Sequence, residues 1–318
     1  VMIFARLVPP LALSLFALAG MASAAPVTLE LGAETGVAVR PAVLRGYNFG
    51  NWMQVAEFTE ALASLKPALL RFPAGNIGDD FDLTETSLQL ARAGASLIGS
   101  PPLLVQTRVF QDRAGQSARN GPEDAADAVR ISAALKLATP YWEIGNEPDL
   151  YAEKRGDPAW TATRYCAVFR AQAAAIRAAD PQARIAGPAV SGAIPGRDRF
   201  IEDFVHDCGD VVDVLTWHLY PSEGEMSDEA ALATATEANR TLGQMRTLWQ
   251  DPNRNPLGHR RRIGFGVTEY GLSWRTGRPR HLSDQVGALW AAETALRLNE
   301  GDAEIAQYFA LQGTGGHG

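Results

Sequence analysis

From residue 43 onward the chain alternates short apolar runs with longer amphipathic stretches, and the alternation recurs eight times. The apolar runs fall at residues 43–49, 68–72, 103–107, 141–145, 183–186, 211–217, 263–268 and 305–311. Short apolar runs separated by helical patterns are the mark of βαβ units, which build a parallel sheet covered by helices. The stretch 161–179 sets Tyr165, Phe169 and Ile176 along one helical face, and the stretch 282–298 sets polar Asp284 and Gln285 opposite Leu289 and Leu296. Eight strand–helix repeats within 318 residues predict a closed (β/α)8 barrel rather than an open doubly wound sheet.

Both ends depart from that pattern. Arg6 is the only charge ahead of an apolar run from Leu11 to Met21, and Ala22-Ser23-Ala24 follows with the small residues that a signal peptidase accepts. Residues 1–24 are therefore expected to be a cleaved leader, with the mature protein secreted or periplasmic and not inserted in the membrane. In the segment 25–42, Val27, Leu29 and Leu31 alternate with polar residues, as in a half-buried antiparallel strand that lies before the barrel. The catalytic barrel is assigned to 43–318, and no helical pattern follows the eighth apolar run. The expectation is a longer natural protein of which this chain is a truncated copy, with apolar surface open beside strands one and eight.

Charge narrows the partners. The net charge is −7, and losing Arg6 makes it −8, which disfavours nucleic acid and anionic membrane. Cys166 and Cys208 are the only cysteines; an exported pair either bridges the fourth and fifth barrel helices or stays as two buried thiols. Five histidines without paired-ligand spacing predict no catalytic metal, and no cofactor is expected. The terminal Gly-Thr-Gly-Gly-His-Gly run fits a dinucleotide fingerprint only in its glycines, because no helix or distal acidic residue follows it.

In a parallel barrel the reactive groups stand where strands end and βα loops begin. Those positions carry Arg71-Phe72-Pro73-Ala74-Gly75-Asn76, Gly145-Asn146-Glu147-Pro148, Trp217-His218-Leu219-Tyr220 and Thr268-Glu269-Tyr270-Gly271. Glu147 and Glu269 stand three strands apart, which lets two carboxyl groups face each other across the central cleft. Glycosidic cleavage needs that pair, one protonated toward the leaving oxygen and one ionised toward the anomeric carbon. Glu143, two residues deeper on the same strand face as Glu147, suits a salt bridge in the barrel core.

These residues resemble a known group. The run from Tyr141 to Pro148 is similar to the acid/base motif of clan A retaining glycoside hydrolases, and Thr268-Glu269-Tyr270-Gly271 is similar to that clan's nucleophile motif. The Arg-Phe-Pro-x-Gly-Asn run from Arg71 to Asn76 and the Thr216-Trp217-His218 turn most resemble the heparanase/β-glucuronidase family. The β-xylosidase/iduronidase and arabinofuranosidase families stand close behind.

The resemblance implies Glu147 as acid/base and Glu269 as nucleophile, with Asn146 on the sugar's 2-hydroxyl. It implies Arg71 and Tyr220 as groups that hold Glu269 ionised, and His218 and Asn76 as residues lining the site. It also implies a small accessory β-sandwich that would use the segment 25–42. Members of the clan place a tryptophan at the end of strand eight as a floor for the sugar, whereas this strand reads Gln307-Tyr308-Phe309-Ala310. Trp52 or Trp274 is the candidate replacement.

The predicted activity is retaining hydrolysis of an oligo- or polysaccharide, with uronic acids among the candidate units. Arg275, Arg278, Arg280 and His281, which follow strand seven, are the candidate uronate contacts, with a solvated loop as the plainer reading. The run Arg260-Arg261-Arg262, on the opposite face, is expected to be solvated. The alternative is a carbohydrate-binding protein on a glycosidase-like barrel that has lost catalysis.

Overall fold

The computed structural model describes residues 36–110, 118–192, 199–275 and 281–313. The leader, the pattern of Val27, Leu29 and Leu31, Arg278, Arg280 and the last five residues lie outside them. Eight parallel strands close into a barrel in chain order: β1 (Gly46–Asn48), β2 (Leu69–Phe72), β3 (Leu103–Thr107), β4 (Tyr141–Ile144), β5 (Arg184–Val190), β6 (Val214–Leu219), β7 (Gly264–Tyr270) and β8 (Ile305–Tyr308).

The helices in chain order are α1 (Pro41–Leu44), α2 (Thr59–Ser64), α3 (Ile77–Asp80), α4 (Glu85–Leu97), α5 (Pro122–Ala134) and α6 (Tyr151–Lys154). They continue with α7 (Ala162–Ala179), α8 (Arg199–Cys208), α9 (Asp228–Ala233), α10 (Glu237–Gln250) and α11 (Gln285–Glu300). Side-chain caps start α4, α7 and α11, where Thr84, Thr161 and Asp284 each accept a hydrogen bond from the backbone three residues on. Among the described residues no helix follows β8, and none is long and apolar enough to cross a membrane.

Several elements differ from the sequence expectations. Residues Val43 and Leu44 belong to α1, not to β1, because Pro41 opens a helical turn there. β1 is thus only three residues long, and a Cβ on Gly46 would sit 1.9 Å from the carbonyl oxygen of Ala306. β5 and β7 run further than their apolar stretches, so Glu269 lies inside its strand. In α11 the buried side is set by Trp290 and Leu298, while Leu289 and Leu296 are 52% and 55% exposed. The bulk of Trp290, packed near Tyr270, fixes which face turns inward. In α7, Tyr165, Phe169 and Ile176 are buried as expected.

Cys166 and Cys208 form a disulfide that ties α7 to α8 with Cα atoms 5.9 Å apart. Arg261 is no solvated residue: it donates to the carbonyls of Gly209 and Val212 and pairs with Asp213.

Two layers fill the barrel. Leu69, Leu104, Ala186, Val214 and Ile305 form an apolar floor. Two residues further along their strands stand Arg71, Gln106 and Thr216, all buried, and Glu143 follows Tyr141 in the same way. Strand periodicity therefore stacks a polar layer on the apolar one, toward the strands' C-terminal ends. The remaining core lies between sheet and helices, where Trp142, Trp217 and Phe169 are fully buried. Beside β1 and β8, an apolar groove of about 460 Å³ is lined by Leu44, Tyr47, Tyr270, Tyr308 and the small residues Ala288 and Ala292 of α11.

Candidate active site

Arg71 organises the polar layer. Its Nε donates to Glu143 at 2.5 Å, Nη1 to Glu269 at 2.7 Å and to Asn48 at 3.0 Å, and Nη2 to Asn146 at 2.8 Å. Thr216 donates to the other oxygen of Glu143 at 2.8 Å. Glu143 is thus the core ion-pair partner that its depth suggested, and the planar guanidinium serves two buried carboxylates at once.

A register shift brings the reactive groups together. Trp217 of β6 pairs with Val267 of β7, yet the next residue, His218, pairs with Glu269, so Thr268 is an extra residue in β7. Such a bulge beside a site re-aims the side chains that follow it. His218 Nδ1 then lies 2.9 Å from Oε1 of Glu147 and 3.7 Å from Oε2 of Glu269. Tyr220 donates to Oε2 of Glu269 at 3.0 Å. One oxygen of each glutamate and one imidazole nitrogen all lie within 4.8 Å of one another.

Electrostatics separates the two carboxyl groups. Burial alone pushes the Glu269 carboxyl up, but His218, Arg71 and the Tyr220 hydroxyl together hold it below the usual carboxylate range. Burial disfavours charge on His218, and the facing Glu269 and Glu147 outweigh it and raise its pKa. Burial and the same two glutamates keep the Tyr220 hydroxyl protonated, so it stays a donor. The donor set does not fit a divalent cation, since Glu269 already carries the Arg71 guanidinium and a second cation would be repelled by it.

Backbone conformation places the rest. Glu147 itself is left-handed, with φ 43°, an uncommon state for a side chain of its kind. Gly75 also has positive φ, 65°, and a Cβ there would stand 2.8 Å from Oε1 of Glu269, so only glycine admits that approach. A cavity of about 200 Å³ opens above these groups, with Trp52, Gly75, Asn76, Asn146 and Phe309 around the two glutamates.

Six of the eight sequence candidates form one bonded cluster: Arg71, Asn146, Glu147, His218, Tyr220 and Glu269. Asn76 joins at its edge, accepting from Asn146 at 3.3 Å. Trp274 does not join; it is 53% exposed, stacks with Arg275 at 4.9 Å and is absent from the cavity wall. Trp52 and Phe309 line the cavity in its place. Phe309, overlooked in the sequence, directly follows β8, where the resemblance implies a tryptophan floor. Arg275 pairs with Glu223 at 2.9 Å and buried His281 with Asp228 at 3.1 Å, and neither lines the cavity around the two glutamates.

Residues 136–288 match the family model of glycosyl hydrolases family 39. A β-xylosidase of Geobacillus stearothermophilus is 28% identical over 181 residues, which cover 52% of this chain and 32% of that enzyme. The chain thus spans about a third of the length of that relative. Among solved structures, an α-L-arabinofuranosidase from Thermotoga maritima superposes with a TM-score of 0.64 at 14% identity, covering 86% of this chain and 65% of the other. A monomeric β-xylosidase from Caulobacter crescentus CB15 gives 0.61 at 18%, covering 88% and 63%. At such identities the superpositions speak to the fold, while the matched segment contains Asn146, Glu147, His218, Tyr220 and Glu269. The chain thus has the barrel fold of these glycosidases, and its segment 136–288 is similar to glycosyl hydrolases family 39.

Proposed function

We propose that this protein hydrolyses glycosidic bonds with retention of anomeric configuration, Glu269 acting as nucleophile and Glu147 as acid/base. The observation that carries the reading is the unequal environment of two facing glutamates. Glu269 is held ionised by Arg71, His218 and Tyr220, while Glu147 bears only the His218 contact at 2.9 Å. Their close approach suits the carboxyl separation of about 5–5.5 Å that retaining enzymes use.

In the first step Glu269 attacks the anomeric carbon, and the bond to the leaving oxygen breaks as Glu147 gives that oxygen its proton. In the second, Glu147 takes a proton from water, the water oxygen bonds to the anomeric carbon, and the Glu269 carboxylate leaves. Asn146, fixed by Arg71 at 2.8 Å, would meet the sugar's 2-hydroxyl, and Phe309 with Trp52 would receive the ring. The similar enzymes make a pentoside, a β-xyloside first, the leading substrate class. A uronide ranks lower, because neither Arg275 nor His281 lines the cavity around the two glutamates. The leader-like N-terminus and the disulfide support action outside the cytoplasm.

The test is proton NMR of the first sugar released from a panel of aryl xylosides, arabinofuranosides, glucosides and glucuronides. Retention of configuration supports the reading. An inverted product removes the nucleophile role of Glu269, and no turnover of any member removes the catalytic reading.

A further inference from the structure

The side-chain amide of Asn146 is anchored at both ends. Its Oδ1 accepts from Arg71 at 2.8 Å, and its Nδ2 donates to Oδ1 of Asn76 at 3.3 Å. Asn146 is buried on the loop after β4, whereas Asn76 is exposed on the loop after β2. An exposed amide holds one orientation only if further contacts offset the rotamer freedom it gives up. Arg155 supplies such a contact, donating to the same Oδ1 of Asn76 at 3.2 Å.

Arg155 is itself held from several sides. It stands at the C-terminal end of α6, a few residues after Glu147. Its guanidinium pairs with Asp80, lies 3.6 Å from Asp79 and stacks on Phe110 at 5.0 Å. Asp79 is buried in α3 and accepts from Tyr151 of α6 at 2.6 Å, and Tyr151 packs edge-on to Phe110. These contacts tie α3, which follows Asn76, to α6, which follows Glu147. The planar fork of an arginine serves two carboxylates and an amide at once, which a single ammonium does not.

We propose that Arg155 is a positioning residue for the contact with the sugar's 2-hydroxyl. It holds Asn76, Asn76 holds the amide of Asn146, and Asn146 meets the hydroxyl. The inference rests on the role proposed above for Asn146 and adds the group that orients it. One hydrogen of Nδ2 goes to Asn76, which leaves the other for a ligand in the cavity that Asn146 lines. Without that anchor the amide is pinned only at its oxygen, by Arg71. The 2-hydroxyl contact strengthens as the oxocarbenium-like state forms, so a loosened amide costs transition-state binding. Arg155 also lines a neighbouring cavity beside Glu147, so the test must cancel any contact it makes with a leaving group.

The experiment compares kcat/KM for the aryl glycoside cleaved fastest in the panel with that for its 2-deoxy analogue. The leaving group is the same in both, so whatever Arg155 does there drops out of the ratio. Arg155→Met is expected to lower the ratio about fivefold or more, since a misplacement of about 1 Å can cost about 10²-fold. Arg155→Lys keeps the charge facing Asp79 and Asp80, which protects the fold, but lacks the fork, so the same fall is expected there. Asn76→Ala, at an exposed position, should lower the ratio as well, and the double variant with Arg155→Met no further than the larger single change. A merely structural role predicts equal losses on both substrates. That result in the folded Arg155 variants overturns the inference, as does a double variant whose ratio falls by the product of the single changes. Two other failures look different and take the inference down with the reading beneath it: Asn146→Ala losing activity equally on both substrates, and a wild type that cleaves neither.

Discussion

His218 Nδ1 lies 2.9 Å from Oε1 of Glu147 and 3.7 Å from Oε2 of Glu269, so one imidazole stands between two carboxyl groups. Every neighbouring element contributes to its charge: Glu147 follows β4, Glu269 lies in β7, and Arg71 in β2 opposes them. The net effect raises its pKa in the folded state. A raised pKa means that the charged form stabilises the fold below the unfolded value, near 6.5, and that this contribution fades as pH rises through the folded value. His218→Gln should therefore lower Tm most at about pH 5–6 and progressively less toward about pH 9. A Tm deficit that grows with pH would contradict the assigned charge.

The two glutamates should separate kinetically. Glu269→Ala is expected to abolish turnover of every substrate. Glu147→Ala should cost about 10²–10⁴-fold on poor leaving groups and little on glycosyl fluorides, which need little protonation. The opposite pattern would exchange the two roles.

Arg71 is expected to be the most expensive single residue to replace. Arg71→Met leaves Glu143 and Glu269 buried without their cation, and loss of one partner of a buried pair costs about 3–5 kcal/mol. Arg71→Lys keeps the charge but not the planar fork that reaches four partners, so it should fall between. Urea unfolding monitored by tryptophan fluorescence measures both, and a loss under about 1 kcal/mol in Arg71→Met would refute the account.

The disulfide should matter for stability and not for chemistry. It closes a loop of 42 residues on the outer ring, for which the chain-entropy model gives about 4 kcal/mol. Paired Cys166→Ser and Cys208→Ser substitutions should lower the urea midpoint and leave kcat on the best aryl glycoside unchanged.

The groove beside β1 and β8 should bind a hydrophobic dye, because its lining leaves a contiguous apolar patch in water. Ala288→Glu together with Ala292→Glu, both on exposed positions of α11, should suppress that signal without lowering Tm. Dye fluorescence unchanged by the pair would place the binding elsewhere.

The strand–helix alternation was enough to determine a closed barrel, and reading each strand's C-terminal end was enough to pick out Arg71, Asn146, Glu147, His218, Tyr220 and Glu269, which the fold brings into one cluster. Those are local properties: periodicity assigns a strand, and the strand's end assigns a face. Trp274 and Phe309 show where that reasoning stops. The resemblance places an aromatic floor after strand eight, with Trp274 a candidate for want of a tryptophan there, yet the loop carries Trp274 outward beside Arg275 while Phe309 lines the cavity with Glu269. Likewise two cysteines 42 residues apart left bridge and free thiols equally open until α7 and α8 packed side by side. The pairing of His218 with Glu269 was decided only by the extra residue Thr268 in β7. Register is a relation between strands, and a shift of one residue turns every following side chain to the other face of the sheet. No single strand's own sequence contains it; barrel closure does.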